Sequence, residues 1–115
     1  MKMVVAYIPP FVKDVVLKAL QDTPELPGAS IGEVHGFGRG RGARERESLA
    51  TELGNHGTLR KLRLETMVPD ELEDVVVQKI REAANIDQAG NGKIYVLSLD
   101  RAVRIRTGEE GDGAL

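Results

Sequence analysis

The sequence predicts an α+β domain of the ferredoxin-like βαββαβ type, a sandwich with both helices on one face of an antiparallel sheet. Each half of the chain contains two short apolar runs around one amphipathic stretch. Each amphipathic stretch begins directly after a proline, a residue favoured in the first turn of a helix. Residues 43–58, between the halves, are polar and end in turn-forming residues, which predicts a long loop. At 115 residues, the chain is expected to form one domain, 1–115.

The first half predicts strand, helix and strand. Met3 to Ile8 is apolar and partly β-branched, and the two prolines that follow end this strand. From Phe11, apolar residues recur at positions 12, 15, 16, 19 and 20, which is the spacing of an amphipathic helix. Further prolines end the helix. Ser30 to Val34 then predicts a second strand that enters a glycine-rich segment.

The second half repeats this order. Leu59 to Val68 alternates between apolar and polar residues, as a strand with one polar face does. Pro69 opens a helix with an acidic first turn, which the helix dipole favours. After a tight turn at Gly90 to Gly92, Lys93 to Leu99 predicts the last strand. The apolar stripe of the helix consists of Leu72, Val75, Val76, Ile80, Ala83 and Ala84.

Two strands are apolar on both sides, although two helices can cover only one face of the sheet. Val4-Val5-Ala6 and Ile94 to Leu97 are continuous apolar runs, as in strands buried on both faces. The sequence offers no further element to cover the second face. We therefore expect a homo-oligomer that packs sheet against sheet as a closed ring.

Composition narrows the class of protein. The chain has no cysteine, so it has neither disulfides nor thiolate metal sites. A net charge of −2, two Phe, two Tyr and no Trp argue against binding to a nucleic-acid polymer, so a bound nucleotide would be a small ligand. No apolar run reaches the roughly 18 residues of a membrane span, and the N-terminal run is too short for a signal peptide. We expect a cytoplasmic protein that is not inserted in a membrane.

Three separated segments combine glycine with basic residues and predict a phosphate site. Val34 to Gly42 has glycine at 36, 38, 40 and 42, with arginines between them. Bare backbone lets N–H groups approach an anion, and guanidinium groups add charge and paired donors. The second segment is Gly90-Asn91-Gly92-Lys93. The third is Arg104-Ile105-Arg106, whose arginines would share one side of an extended segment and suit a polyphosphate.

Each segment also has a plainer interpretation. The glycine-rich stretch would be a flexible surface loop, and residues 43–58 an idle, solvated one. Lys93 would only cap a strand after a hairpin turn. Arg104 and Arg106 would be surface residues matched by Glu109 and Glu110. The residues alone leave these alternatives open.

No pattern predicts a catalytic centre. His35 and His56 are the only histidines, and neither has the spacing of a metal ligand. A nucleophile elbow and the GxxxxGK[ST] phosphate loop are both absent. We therefore expect a protein that is not an enzyme and holds no metal.

Several short motifs occur in a characteristic order. They are Pro10-Phe11, Glu33-Val34-x-Gly36-Phe37-Gly38-Arg39, Val68-Pro69-Asp70, Gly90-x-Gly92-Lys93-Ile94-Tyr95-Val96, and Val103 to Glu109 with Ala114-Leu115 at the end. With these motifs the chain resembles the PII nitrogen-regulatory signal transducers along most of its length. The central loop and the residues before Gly90 match that family poorly.

The resemblance implies a homotrimer that binds ATP or ADP, and as a further candidate AMP, in clefts between subunits. A T-loop at about 39–58 would dock on a transporter, an enzyme or a regulator. The nucleotide-binding residues implied are Ser30, Gly36, Gly38, Arg39, Gly40, Glu65, Met67, Gly90, Asn91, Gly92, Lys93, Arg104 and Arg106. The implied partner-binding residues are Arg41, Arg44, Arg46 and Ser48.

The resemblance also implies roles. The turn glycines and Lys93 would hold the phosphates, which the arginines at 104 and 106 would reach from the neighbouring subunit. Ser30 and Glu65 would meet the adenine, and Met67 would contact it through its backbone.

Some positions depart from the family pattern. Gly40 replaces a glutamine that helps to hold Mg²⁺ and 2-oxoglutarate, which argues against 2-oxoglutarate sensing of the usual kind and leaves Mg²⁺ open. Lys61 still matches the family's lysine at the end of the loop. The loop has no tyrosine that could be uridylylated, and Asn91 replaces an aspartate. Ile86 to Ala89 replaces an expected Thr-Gly-Lys segment, so the departures suggest a divergent branch.

A competing hypothesis is a ferredoxin-like trimeric scaffold or metal-tolerance protein. Such a protein would bind no nucleotide and would use His35 or His56 for a metal. The sequence does not identify the partner, the preferred nucleotide or a second effector such as bicarbonate.

Overall fold

The computed structural model describes residues 1–38, 58–87 and 92–115. Four strands and two helices occur in the predicted order. They are β1 (Lys2–Ile8), α1 (Lys13–Gln21), β2 (Ser30–Gly36), β3 (Leu59–Val68), α2 (Glu73–Ala84) and β4 (Lys93–Ser98). The predicted α+β class and the predicted element order are therefore confirmed.

The strands form one antiparallel sheet in the order β2-β3-β1-β4. In the central strand β1, Val5 lies opposite Glu65 of β3 on one side and Tyr95 of β4 on the other. Ser30 of β2 is the next residue across, opposite Glu65. This order interleaves the two strand-helix-strand units, because β3 lies between β1 and β2 and β1 lies between β3 and β4, as in a ferredoxin-like fold.

Both helices contribute to one core with the sheet. Val4, Ala6 and Ile8 alternate with residues of the other face, and each is at most 1% exposed. The remaining core residues are Val12, Val16, Leu20, Leu62, Leu64, Val68, Val76, Ile80 and Ala84. Val15 and Val75 were predicted on the apolar stripes but are 57% and 44% exposed. Val12, directly before α1, and Val16 and Leu20 within it are buried in this core, and Val15 lies to their side.

Each helix begins as its proline predicts, with a short 3₁₀ turn. Pro10–Val12 precedes α1 and Asp70–Leu72 precedes α2. The N-terminal ammonium of Met1 lies 2.8 Å from the Asp70 carboxylate. Its hydrogen bond and its charge lower the pKa of Asp70. This contact ties the start of β1 to the start of α2.

The part of the second sheet face formed by β1 and β4 is apolar and open among the described residues. Met3, Val5 and Tyr7 of β1 alternate with its core residues and point to this face. Tyr95 and Leu97, opposite Val5 and Met3, are 48% and 50% exposed. The doubly apolar character predicted for these strands is thus present, with one face packed on the helices and the other uncovered. Neither described helix is long and apolar enough to cross a membrane.

Candidate functional site

Two of the three predicted phosphate segments lie toward the same end of the sheet, on its two edge strands. Strand β1 runs parallel in space to β2, and β3 and β4 run the opposite way. The end of β2 at Gly36, the start of β3 at Leu59 and the start of β4 at Lys93 therefore lie at the same end. Gly38 follows directly beyond β2. The connection 39–57, which the structure does not describe, leaves and returns at this end.

Lys93 places an ammonium group at this end of the sheet. It is the first residue of β4, lies opposite Tyr7 and is exposed. A cavity of about 440 Å³ between α2 and β4 is lined by Gly92 and Lys93, with Arg81 and Asn85 from the end of the helix. Its lining therefore includes two cationic residues among a majority of apolar ones such as Ile80 and Ile94.

Gly92 has a structural role that the sequence analysis did not foresee. Its φ is +105°, and a Cβ at this position would lie 1.8 Å from the carbonyl oxygen of Tyr7. The sequence analysis explained this glycine by the close access to bare backbone that a ligand needs. In the structure, the close neighbour is the backbone of β1.

The predicted adenine contacts form a second group on the open face. Ser30 and Glu65 are direct cross-strand partners and line a shallow depression along β2. Glu65 also lies 3.3 Å from Arg63 on its own strand. Ser30 and Gly36 stand at the two ends of the seven-residue strand β2, roughly 20 Å apart at about 3.3 Å per residue. Gly36 and Ser30 thus lie well apart within one chain.

Met67 lies next to this second group. It is opposite Met3 of β1, near the end of β3, and alternation places it on the same face as Glu65. Ser30, Glu65 and Met67 therefore share one face of the sheet.

Arg63 is a candidate functional residue that the sequence analysis missed. Its guanidinium carbon lies 6.0 Å from the centre of the Tyr7 ring, within the range of a cation–π contact. Its Nε is buried without a hydrogen-bond partner in the described structure. The Tyr7 ring also makes an edge-to-face contact with Tyr95 at 6.1 Å. Alternation along β3 could have placed Arg63 on the face of Glu65, but only the strand register brings it to Tyr7.

The third phosphate segment differs from the prediction. Residues 105–107 form a turn, in which the Gly108 N–H donates to the Arg104 carbonyl at 2.8 Å. Arg104 and Arg106 are therefore not on one side of an extended segment, and that prediction is wrong. Gly108, with φ of +73°, allows the chain to reverse so that Val103 pairs with Glu110. Arg106 lies exposed within the turn.

Acidic residues of the same chain hold the arginines next to this turn. The Arg104 Nη1 lies 3.2 Å from the Glu109 carboxylate, and its Nη2 donates to the Gly113 carbonyl at 2.8 Å. Glu110 pairs with Arg101 instead of Arg106. The plainer interpretation of matched arginines therefore holds for Arg104.

Several predicted residues lie outside the described parts of the chain, so their roles stay predictions. These are Arg39, Gly40, Gly90 and Asn91 of the nucleotide set and Arg41, Arg44, Arg46 and Ser48 of the partner set.

The histidines give no metal site in the described structure. His35 lies in β2 opposite Arg60, and His56 is outside the described residues. Over residues 1–38, 58–87 and 92–115, no group of three His, Asp or Glu side chains is arranged to hold a metal ion.

The fold and these segments define a ferredoxin-like domain with basic, glycine-punctuated segments around a long connection. The family model described as nitrogen regulatory protein P-II matches residues 1–109. The chain belongs to this family, as its motifs predicted. It is accordingly a regulatory protein of signal transduction.

Curated relatives match over their whole length. The chain is 42% identical to nitrogen regulatory protein P-II of Rhodobacter capsulatus and 43% identical to the protein of that name from Haemophilus influenzae. It is 39% identical to nitrogen regulatory protein P-II 1 of Escherichia coli K12. Each comparison covers 115 residues and 100% of both chains.

Proposed function

We propose that this protein binds ATP or ADP between subunits and controls a partner protein through residues 39–58. The observation that supports this most is that Gly36 and Lys93 both lie toward the sheet end where that connection leaves and returns. A ligand bound beside Gly36 would touch both ends of the connection, because Gly36 is paired with Leu59. Its occupancy can therefore bias the conformation of the segment that meets the partner.

The chemistry of the described residues fits a nucleotide. Lys93 supplies a positive charge, and Gly36 and Gly38 leave space, because a Cβ at either position would meet no atom within 4 Å. Charge-assisted donors of this kind suit phosphate oxygens. On the open face, the polar pair Ser30 and Glu65 offers a hydroxyl and a carboxylate to the edge of a base.

The separation of these groups supports a site shared between chains. Within one chain, Gly36 of the phosphate set and Ser30 of the base set stand about one β2 length apart, roughly 20 Å. A site between two copies would take the phosphate residues from one chain and the base residues, with Arg104 and Arg106, from its neighbour. Mg²⁺ would accompany the phosphates if an oxygen donor were available, and Gly40 provides none from its side chain. We do not include 2-oxoglutarate among the effectors.

The shared site requires an oligomer, and we propose a homotrimer in the cytoplasm built on the open sheet face. Tyr95 and Leu97 are about half exposed there, next to buried Val5. Covering this apolar surface would stabilise the assembly by about 25 cal/mol for each Å² of apolar area buried.

Leu97→Asp is expected to convert the trimer to monomers, because it would bury a carboxylate in this interface without a partner. Light scattering after size-exclusion chromatography would report the change in mass. Val15→Asp is the matched control, since Val15 is 57% exposed on α1, away from the open face. A trimeric Leu97→Asp protein would contradict the proposed interface.

A partner completes the proposed role. It would be a transporter, an enzyme or a regulator that binds the T-loop, in which Arg41, Arg44, Arg46 and Ser48 are the contact candidates. The protein itself would act by binding and not by catalysis. The match to the P-II family does not favour the competing scaffold or metal-tolerance function.

Isothermal titration calorimetry tests the ligand class. ATP, ADP, AMP, 2-oxoglutarate and bicarbonate are titrated in turn into the intact protein, with and without Mg²⁺. We expect saturable binding of ATP or ADP at one molecule per chain. Absence of binding by all three adenine nucleotides would contradict the proposal.

A further inference from the structure

The guanidinium group of Arg104 is already occupied by its own chain. One terminal nitrogen faces the Glu109 carboxylate at 3.2 Å, and the other donates to the Gly113 carbonyl at 2.8 Å. The backbone reinforces this arrangement, because the Arg104 N–H donates to the Glu109 carbonyl at 2.8 Å. Each of the two terminal nitrogens thus already uses one of its N–H donors within the chain.

On the basis of the nucleotide-binding role above, we propose that Glu109 is an autoinhibitory competitor for Arg104. A phosphate oxygen needs the same donors that Glu109 and Gly113 now accept from. A nucleotide whose phosphate takes these donors must therefore displace the carboxylate from the guanidinium. Glu109 lowers the affinity for every nucleotide whose phosphates use Arg104.

The exposure of the pair makes such competition reversible. The side chains of Arg104 and Glu109 are 41% and 47% exposed, so water screens their attraction. A phosphate group, with more negative charge and several acceptor oxygens, can displace a single carboxylate.

The second contact links Arg104 to the end of the chain. Gly113 belongs to the last short 3₁₀ turn, Asp112–Ala114, whose N-cap residue is Gly111. When Arg104 leaves the Gly113 carbonyl, this turn loses a long-range hydrogen bond. Nucleotide binding would therefore loosen the C-terminal residues that lie closest to Arg104.

Two glutamate variants separate this competition from a general effect of charge. Glu109→Gln keeps the size of the side chain and removes its charge. Glu110→Gln is the matched control, because Glu110 pairs with Arg101 and not with Arg104. In calorimetric titrations with ATP, we expect Glu109→Gln to bind about three- to fivefold more tightly than the original protein, as for loss of an exposed ion pair. Glu110→Gln is expected to leave the affinity unchanged.

A double variant shows whether Glu109 acts through Arg104. In an Arg104→Ala background, Glu109→Gln should no longer change ATP affinity. An equal gain in both backgrounds would overturn the proposal, since the effect would then be general electrostatics. A weaker Glu109→Gln complex would also overturn it, because Glu109 would then position Arg104 for the ligand.

Hydrogen exchange gives a second measurement on the unaltered protein. The amides of Ala114 and Leu115 donate to Gly111 and Asp112 at 2.9 and 3.2 Å. Saturation with ATP is expected to speed their exchange, and slower exchange would overturn the proposal. If the original protein bound no nucleotide, the proposed function would fail as a whole. If it bound ATP and Glu109→Gln had no effect, only the competition would fail.

Discussion

Lys93→Ala is expected to weaken ATP binding by at least about tenfold. Lys93 is exposed at the first position of β4, and no described residue forms an ion pair with its side chain. A phosphate would be its natural counterion. Loss of a hydrogen bond to a charged group costs about 1.5 kcal/mol or more, and about 1.4 kcal/mol corresponds to tenfold in affinity.

Lys13→Ala is the matched control for this variant. Lys13 is also exposed and is the first residue of a regular element, but α1 lies on the helix layer of the domain. Calorimetric titration of both variants with ATP would give the comparison. Equal affinities for Lys93→Ala and Lys13→Ala would remove Lys93 from the site.

Arg104→Ala provides an independent check on the same site. It should also weaken ATP binding, whereas Arg101→Ala, which removes the arginine paired with Glu110, should not. The loss of ATP affinity in Arg104→Ala is expected to be smaller than in Lys93→Ala, because the arginine gives up its contacts with Glu109 and Gly113 when it binds phosphate. Unchanged affinity in both Lys93→Ala and Arg104→Ala would contradict the nucleotide-binding role.

The sequence predicted the regular elements because their signals are local. The prolines before α1 and α2 mark where each helix can begin, and the alternation along β3 follows from the pleat of a strand. The order of these elements leaves few ways to form one sheet. The fold class and the open face of the sheet therefore followed from patterns within short windows of sequence.

Side-chain partners depended on contacts that no short window contains. Arg104 and Arg106 alternate in sequence, which favoured an extended segment, but a positive φ at Gly108 turns the chain back on itself. The partner of Arg104 at Gly113 is nine residues away. Arg63 meets Tyr7 only through the register of β3 on β1. These side-chain contacts can be identified only when the strand register and the turn are known.

The candidate site shows the same division. That Lys93 and the glycines at 36 and 38 lie at one sheet end could have been derived from strand directions alone. The distance between Gly36 and Ser30 could be known only from the length of β2, which ends two residues later than the sequence predicted. The longer strand places Gly36 within the sheet, opposite Leu59, and not in the loop beyond it.

Gly92→Ala is expected to destabilise the protein by about 3 kcal/mol or more. A backbone held at positive φ costs roughly 1–3 kcal/mol for a residue other than glycine, and a steric overlap adds a similar amount. At Gly92 both apply, since φ is +105° and the new Cβ would lie 1.8 Å from the Tyr7 carbonyl oxygen. The backbone cannot yield as a flexible side chain could, so the β1–β4 pairing that begins at Lys93 must shift.

Two further glycine variants separate the strain from the overlap. Gly108 has φ of +73° but an added Cβ would meet no atom within 4 Å, so Gly108→Ala carries only the strain. Gly32 has neither problem, and Gly32→Ala should be tolerated. Denaturant unfolding at one protein concentration should rank Gly92→Ala as least stable and Gly32→Ala as most stable. If Gly92→Ala unfolded at the midpoint of Gly108→Ala, the overlap with β1 would be refuted. If the expected ranking is found, a loss of nucleotide binding in Gly92→Ala would be explained by the shift of β4. The phosphate contact itself is therefore tested by Lys93→Ala and not by Gly92→Ala.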